Sequence, residues 1–413
     1  MMIFYLLLFS LCYSSELFED YYEEAEKYLK KMTLEQKVNQ MFFPKYNSKR
    51  RVEDFPDNIP GGYVLYEEHF NYTESFIQEY VSEMINITKN VTGLPLGLAV
   101  DEEGGNVYRI SNKHRKNGTF PSPQKIFNES GIEGILSIDQ EKRDLLRKFY
   151  MNVNLAPVAD ISYNSSDYIY HRTLGKLPNI TADYIAKDVE GYVNDNFTCC
   201  AKHFPGYGNN TNTHLWIAID NRDYDIFIKE DFLPFQASIK NKIPMILVSH
   251  NIVKCKDPDY PASISKEWVG ILRNELKFSG LIITDDLSMN AITLYSHNES
   301  SSVLAVKAGN DLIITNNYRN HSKEVVEAVK SGNITENVID TAVRRIIAWK
   351  LKYLEGLVIN KKNKDDDNNY TLTIVLGSVG GIILIAIVVF LIVRCKKKNN
   401  SIDIEAGGLL SNL

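Results

Sequence analysis

Cys199-Cys200-Ala201-Lys202-His203-Phe204-Pro205-Gly206-Tyr207-Gly208-Asn209-Asn210-Thr211-Asn212-Thr213-His214 is the stretch from which the rest of the chain can be read. It opens on small and apolar residues after Phe197, the pattern of a buried strand. It then presents a Lys-His pair, a Pro-Gly break and a Gly/Asn-rich loop that closes on a second histidine. Loops carried by a rigid scaffold are the usual place for reactive groups. Histidine is the side chain whose ordinary pKa suits proton transfer near neutrality. Asn209-Asn210-Thr211 is also a sequon, so a glycosylated surface loop would carry the same residues.

The same pattern of apolar strand and polar end recurs outward from this stretch. Gly61 to Tyr66 is a short apolar strand. Leu96 to Val100 runs into Asp101, and Val153 to Val158 closes on Asp160. Met245 to Val248 ends at Ser249-His250-Asn251. Leu281 to Ile283 runs into Thr284-Asp285-Asp286, and Leu312 to Ile314 follows Gly309-Asn310-Asp311. Helical patterns separate them, among them Phe76 to Ile87, Glu230 to Ile239 and Lys266 to Glu275, with a last amphipathic helix at Val338 to Leu354. Thr33 and Gln36 have capping-box spacing. Short apolar strands alternating with helices imply a parallel sheet buried on both faces.

About seven candidate strands suit either a (β/α)8 barrel or a doubly wound sheet. Asp101, Asp160, Lys202, His203, His250 and Asp285 each stand just past or at the end of a strand. A barrel brings such ends to one face, whereas an open sheet spreads them along a line. The expected fold is therefore α/β, a (β/α)8 TIM-type barrel over residues 16–360, plus one C-terminal transmembrane helix.

The ends of the chain suggest its compartment. Residues 1–15 read as a signal peptide and residues 361–370 as a polar stalk. Residues 371–393 are almost wholly apolar and about the ~20 residues a span needs. Arg394, Lys396, Lys397 and Lys398 follow at once, as on the cytoplasmic side of a membrane. Residues 394–413 form a tail in which Glu405, Leu409 and Leu410 resemble an acidic dileucine signal for a sorting adaptor. Roughly thirteen sequons lie between Asn71 and Asn369. The expectation is a single-pass type I membrane protein with a lumenal or extracellular domain, in an endolysosomal or plasma membrane. Cys199, Cys200 and Cys255 would then lie in an oxidising space, where one bridge to Cys255 can form.

The chain has 413 residues, 44% of them hydrophobic, enough for a sizeable core. A net charge of −6 gives no argument for a nucleic-acid partner. No His/Cys cluster has zinc-ligand spacing, and Asp101-Glu102-Glu103-Gly104-Gly105 would repel phosphate. Asp285, between apolar residues, can serve as a nucleophile. His214 can supply and take a proton. Asp101, Arg172, Lys202 and His203 are groups of the kind that hold sugar hydroxyls.

Six stretches now stand together in order: Val100-Asp-Glu-Glu-Gly-Gly-Asn-Val-Tyr-Arg109, Asn154-Leu-Ala-Pro-Val-Ala-Asp160, Arg172-Thr-Leu-Gly175, Lys202-His-Phe-Pro-Gly206, Pro261-Ala-Ser-Ile-Ser265 and Ile283-Thr-Asp-Asp-Leu-Ser-Met289. In these the chain resembles the glycoside hydrolase family 3 catalytic barrel, within it the β-N-acetylhexosaminidase branch, in a membrane-anchored eukaryotic form. The resemblance implies a retaining glycosidase that releases terminal N-acetylglucosamine-type residues from glycans or glycoconjugates. Asp285 would be the nucleophile and His214 the acid/base, with Asp101, Arg172, Lys202 and His203 holding the sugar. No metal or organic cofactor is implied. The family usually has a carboxylate two residues before the histidine, where this chain has Asn212, and His where it has Tyr207. That predicts a less basic His214 and slower turnover. It also leaves two alternatives: a family 3 glycosidase of other, β-glucosidase-like specificity, and an inactive barrel acting as a glycan-binding receptor.

Overall fold

Ten strands are found among residues 16–46, 58–210, 218–289 and 299–355, which a computed structural model of the chain describes together with Ile292, Tyr295, Leu357–Ile359 and Leu372–Ile374. They are β1 (Phe42–Pro44), β2 (Gly62–Val64), β3 (Gly97–Val100), β4 (Val153–Asn154), β5 (Thr198–Phe204), β6 (Ile219–Asp220), β7 (Met245–Val248), β8 (Ile252–Val253), β9 (Leu281–Thr284) and β10 (Ile313–Thr315). The first six α-helices are α1 (Tyr22–Leu29), α2 (Leu34–Gln40), α3 (Glu74–Thr92), α4 (Ser111–His114), α5 (Pro123–Lys148) and α6 (Pro178–Asn194). The capping box at α2 forms as its spacing implies. Gln36 N–H donates to Thr33 Oγ1 at 3.3 Å, and Thr33 N–H to Gln36 Oε1 at 3.0 Å.

Strands β2, β3, β4, β5, β7 and β9 form one parallel sheet in that order. Its residues alternate between two cores. Leu98, Val100, Cys199, Ala201, Ile246, Val248 and Ile282 join one, packed with α3, α5 and α6. Ala99, Cys200, Met245, Leu247, Leu281 and Ile283 join the other, with Phe42, Phe43 and Trp349. A period of two puts successive side chains on opposite faces, so a sheet covered on both sides reads as an unbroken apolar run.

The closed eight-stranded (β/α)8 barrel is corrected by the ladders. The regular sheet is a six-stranded parallel half-barrel, and β1 pairs separately with β10. Single bridges, Lys45–Val64 and Ile283–Leu312, are what link this pair to the sheet. Side chains and ring constraints interrupt both seams. β1 ends on Pro44, which has no N–H to extend a ladder. At the other seam Asp311 Oδ2 accepts the Ile282 N–H at 2.8 Å, where a strand carbonyl would otherwise stand.

A second correction concerns the C-terminal unit, residues 356–413. Within the stretch expected to be a transmembrane helix, Leu372–Ile374 is a short strand, antiparallel to Leu357–Ile359. The β-branched run there favours extended pairing. Among the described residues no helix is long and apolar enough to cross a membrane, so the single-pass membrane placement is not carried. The signal peptide, the stalk, the rest of 371–393 and the tail with Glu405, Leu409 and Leu410 lie outside the described residues. Cys199, Cys200 and Cys255 are free thiols, so the bridge to Cys255 is not made. Neighbours on a strand, Cys199 and Cys200 point into different cores.

Candidate active site

Parity along the strands decides which strand-end residues meet. Asp101 continues the face of Ala99, Lys202 that of Cys200, and Asp285 that of Ile283. Lys202 stands in register with Leu247 of β7, and Leu247 with Ile283 of β9. Three charged groups are thus carried to the C-terminal rim of one face.

Lys202 is 2% exposed and donates through Nζ to Asp101 Oδ1 at 2.7 Å. It also pairs with Glu103 Oε1 at 2.7 Å. Arg172 lies in the 3-10 turn Tyr170–Arg172 and grips Glu103 with a two-toothed fork, Nε at 2.9 Å and Nη2 at 2.7 Å. Arg109 Nη2 donates to Asp101 Oδ2 at 3.0 Å. Burial alone would raise the carboxyl pKa values, but Lys202 and Arg109 hold Asp101 below the usual carboxylate range. Against the same burial, Arg172 and Lys202 hold Glu103 well below it. Burial would lower Lys202, yet Asp101 and Glu103 outweigh it and raise its pKa. The wall is a lattice of full charges.

His203 follows Lys202 through a cis peptide and joins the wall. Its Nδ1 faces Asp160 Oδ2 at 2.7 Å, and its Nε2 meets Arg172 Nη2 at 3.3 Å. Asp160 accepts from Nδ1, which makes Nε2 the acceptor for Arg172. Asp160 also accepts the backbone N–H of Tyr207 at 2.8 Å. Asp160 thus holds both the His203 ring and the Tyr207 main chain. Tyr207 is 2% exposed and packs edge-on against His203 with ring centres 5.5 Å apart. It is part of the wall and not an open platform for a sugar ring.

Asp285 is half-buried, and its Oδ1 accepts the Asp286 N–H at 2.8 Å. Asp286 is engaged by Ser288 N–H at 2.9 Å and Asn316 Nδ2 at 3.1 Å, a structural role. His250 is fully buried between Ser263 Oγ at 2.7 Å and the Asp286 carbonyl at 2.9 Å. The Tyr66 phenol is pushed well up by burial and by the charges of Asp101, Asp286 and Asp285, so it stays protonated beside them.

The entrance to the histidine-bearing loop is clasped. Asn210 Nδ2 donates to Asp220 Oδ2 at 3.0 Å, joining the two sides of segment 211–217. Arg222 donates to Asp220 at 2.8 Å, to Asp231 at 2.9 Å and to the Gly206 carbonyl at 3.4 Å. A Cβ at Gly206 (φ +129°) would sit 2.1 Å from Asp231 Oδ1, so only glycine fits there. Asn212, His214 and Trp216 lie outside the described residues.

Asp101, Arg172, Lys202 and His203 are therefore brought together by the structure, and Asp285 joins them through its proximity to Tyr66 and the strand register. Sequence reasoning passed over Glu103, Arg109 and Tyr66. The first two lie inside the stretch Val100 to Arg109, whose run of acids followed by an arginine was their signal. Tyr66 ends a strand, the signal used for the others. Among the described residues no group of three His, Cys, Asp or Glu side chains is placed to hold a metal ion.

Residues 33–349 match the Glycosyl hydrolase family 3 N terminal domain. A beta-hexosaminidase of Idiomarina loihiensis is 32% identical over 267 residues, 62% of this chain and 78% of that protein. An uncharacterized secreted glycosyl hydrolase of Arthroderma benhamiae is 26% identical over 304 residues, 70% of this chain and 84% of that protein. Among solved structures, a family 3 beta-N-acetylglucosaminidase from Paenibacillus sp. str. FPU-7 superposes with a TM-score of 0.74 at 25% identity. The match covers 82% of this chain and 66% of that one. These relatives, bacterial or secreted, do not support the membrane-anchored eukaryotic form suggested by the ends of the chain. By the match over residues 33–349, the chain belongs to glycosyl hydrolase family 3.

Proposed function

We propose that this chain removes terminal β-linked N-acetylhexosamine residues from glycans by a retaining mechanism. The observation that carries this reading is the meeting of Asp101, Glu103, Arg172, Lys202 and His203 in one charged wall at the strand ends. Such a wall offers cationic donors and ionised acceptors to sugar hydroxyls at fixed positions. Relatives that carry the names beta-hexosaminidase and beta-N-acetylglucosaminidase support the choice of sugar.

In the proposed reaction Asp285 is the nucleophile. Its carboxylate, steadied by the Asp286 N–H, attacks the anomeric carbon as the glycosidic bond breaks. His214 gives a proton to the departing oxygen. A covalent glycosyl-Asp285 ester remains. His214 then takes a proton from water, which attacks the same carbon, breaks its bond to Asp285, releases the free carboxylate and restores the starting configuration. Lys202, Arg172, His203 and Asp101 hold the sugar throughout. Because they are already paired with one another, they need little reorganisation when charge develops.

The test is hydrolysis of nitrophenyl N-acetyl-β-glucosaminide by the wild type and by Asp285→Ala. Removal of a nucleophile should lower kcat by about three orders of magnitude or more. Equal rates in the two folded proteins would sink the assignment of Asp285. No turnover by the wild type between pH ~4 and ~8, with binding of N-acetylglucosamine intact, would favour the receptor alternative that Asn212 suggests.

A further inference from the structure

Behind the sugar-binding wall lies a second ionic cluster that the reaction does not touch. Glu103 and Arg172 line a small cavity whose opposite side is formed by Asp139, Lys142, Tyr184 and Asp188. Lys142 comes from α5 and is 3% exposed. Its Nζ donates to the backbone carbonyl of Glu103 at 3.0 Å and to Asp139 Oδ1 at 2.6 Å.

Asp139 on α5 and Asp188 on α6 are 3% and 2% exposed. Each has one carboxylate oxygen, Asp139 Oδ2 and Asp188 Oδ1, with no donor. Two unpaired buried anions would be costly. One proton shared between the two carboxyls satisfies both oxygens. Burial first, then the charge of Asp139 and a hydrogen bond to it, push Asp188 well above the usual carboxylate range. Burial pulls Lys142 down, but Asp139 outweighs it and the amine stays charged.

A cluster that only joined α5 to α6 would not need Lys142 to reach the loop after β3. It does reach it, at the residue whose side chain is forked by Arg172 and paired with Lys202. We propose that Lys142, held in place by Asp139 and Asp188, is a positioning residue for the sugar site: it fixes the main chain at Glu103, and with it the carboxylate on which Arg172 and Lys202 are aligned. This rests on the glycosidase reading of the front of the wall.

The experiment compares wild type with Lys142→Met in the full chain. Nitrophenyl N-acetyl-β-glucosaminide kinetics should show KM raised about tenfold or more with kcat far less changed, since outer groups that orient binding residues act at this scale. A crystal structure of Lys142→Met should show the Glu103 main chain displaced and its fork with Arg172 opened. An unchanged KM and an intact fork would overturn the proposal. If the wild type turns over no substrate, the glycosidase reading falls, and the crystallographic arm decides the positioning claim alone. Should Lys142→Met fail to fold, Asp188→Asn and Asp188→Leu make the same comparison. Asparagine can donate to Asp139 and should preserve KM, leucine cannot and should raise it; equal KM values in the two would overturn the proposal.

Discussion

Asp101, Glu102 and Glu103 are three consecutive carboxylates with three separate tasks. Asp101 continues the strand alternation into the site and meets Lys202 and Arg109. Glu102 points the other way and takes the Ser111 hydroxyl at 2.5 Å and the Ile110 N–H at 2.8 Å at the start of α4. Glu103 returns to the site and receives the Arg172 fork. The triplet itself is visible in the chain, but the division of labour follows from where each partner lies, from Arg109 and Ser111 close by to Arg172 and Lys202 far along the chain. In the proposed mechanism the proton-transfer step turns on Asn212, two residues before His214 in the sequence. An amide accepts a hydrogen bond but, unlike a carboxylate, carries no charge to stabilise an imidazolium. Asn212→Asp should therefore raise kcat on nitrophenyl N-acetyl-β-glucosaminide by about tenfold. A rate equal to or below wild type would count against a weakened histidine.

The link from β5 to the helix at Phe232–Lys240 brings a buried acid against the loop entrance. Asp231 is 1% exposed, and although Arg222 donates to it, burial together with the charges of Asp160 and Asp220 pushes its pKa up to about 7. A raised acid pKa in the fold means that the folded state holds the proton more tightly than the unfolded chain. Its stabilising contribution is complete below the ordinary carboxylate value and is lost as pH rises from ~4 through ~7. Asp231→Asn mimics the protonated form. It should match wild type near pH 4 and exceed it at pH 8 by on the order of 2 kcal/mol in urea unfolding. A difference that stays constant over that range would show that Asp231 does not titrate there. This arrangement was not legible in the chain, because the pairing of Gly206, Asp220, Arg222 and Asp231 depends on how the strand exits fold back. The strands themselves were legible, since each is a short apolar run ending in a polar group.

At the scale of the whole molecule, a sheet buried on both faces has every strand divided between two cores. That division places Asp101, Lys202 and Asp285 on one side. The α/β class and the meeting of Asp101, Lys202 and His203 could be read from strand ends; Arg172, in the 3-10 turn Tyr170–Arg172, came only with the family resemblance. That the barrel is not closed could not be read there, because its seams turn on Pro44 and on the Asp311 carboxylate standing in for a strand carbonyl, which no periodicity displays. Nor could the paired strand at Leu372–Ile374, since an apolar β-branched run reads equally as helix or strand. The proposed mechanism passes through a covalent intermediate at one strand end, on Asp285. Mass spectrometry of peptides from protein treated with a 5-fluoro N-acetylglucosaminyl fluoride tests it most directly. The expected result is a single glycosyl adduct on the peptide carrying Asp285, absent from Asp285→Ala. An adduct elsewhere, or turnover of the reagent without any adduct and with inversion of the sugar, would contradict it.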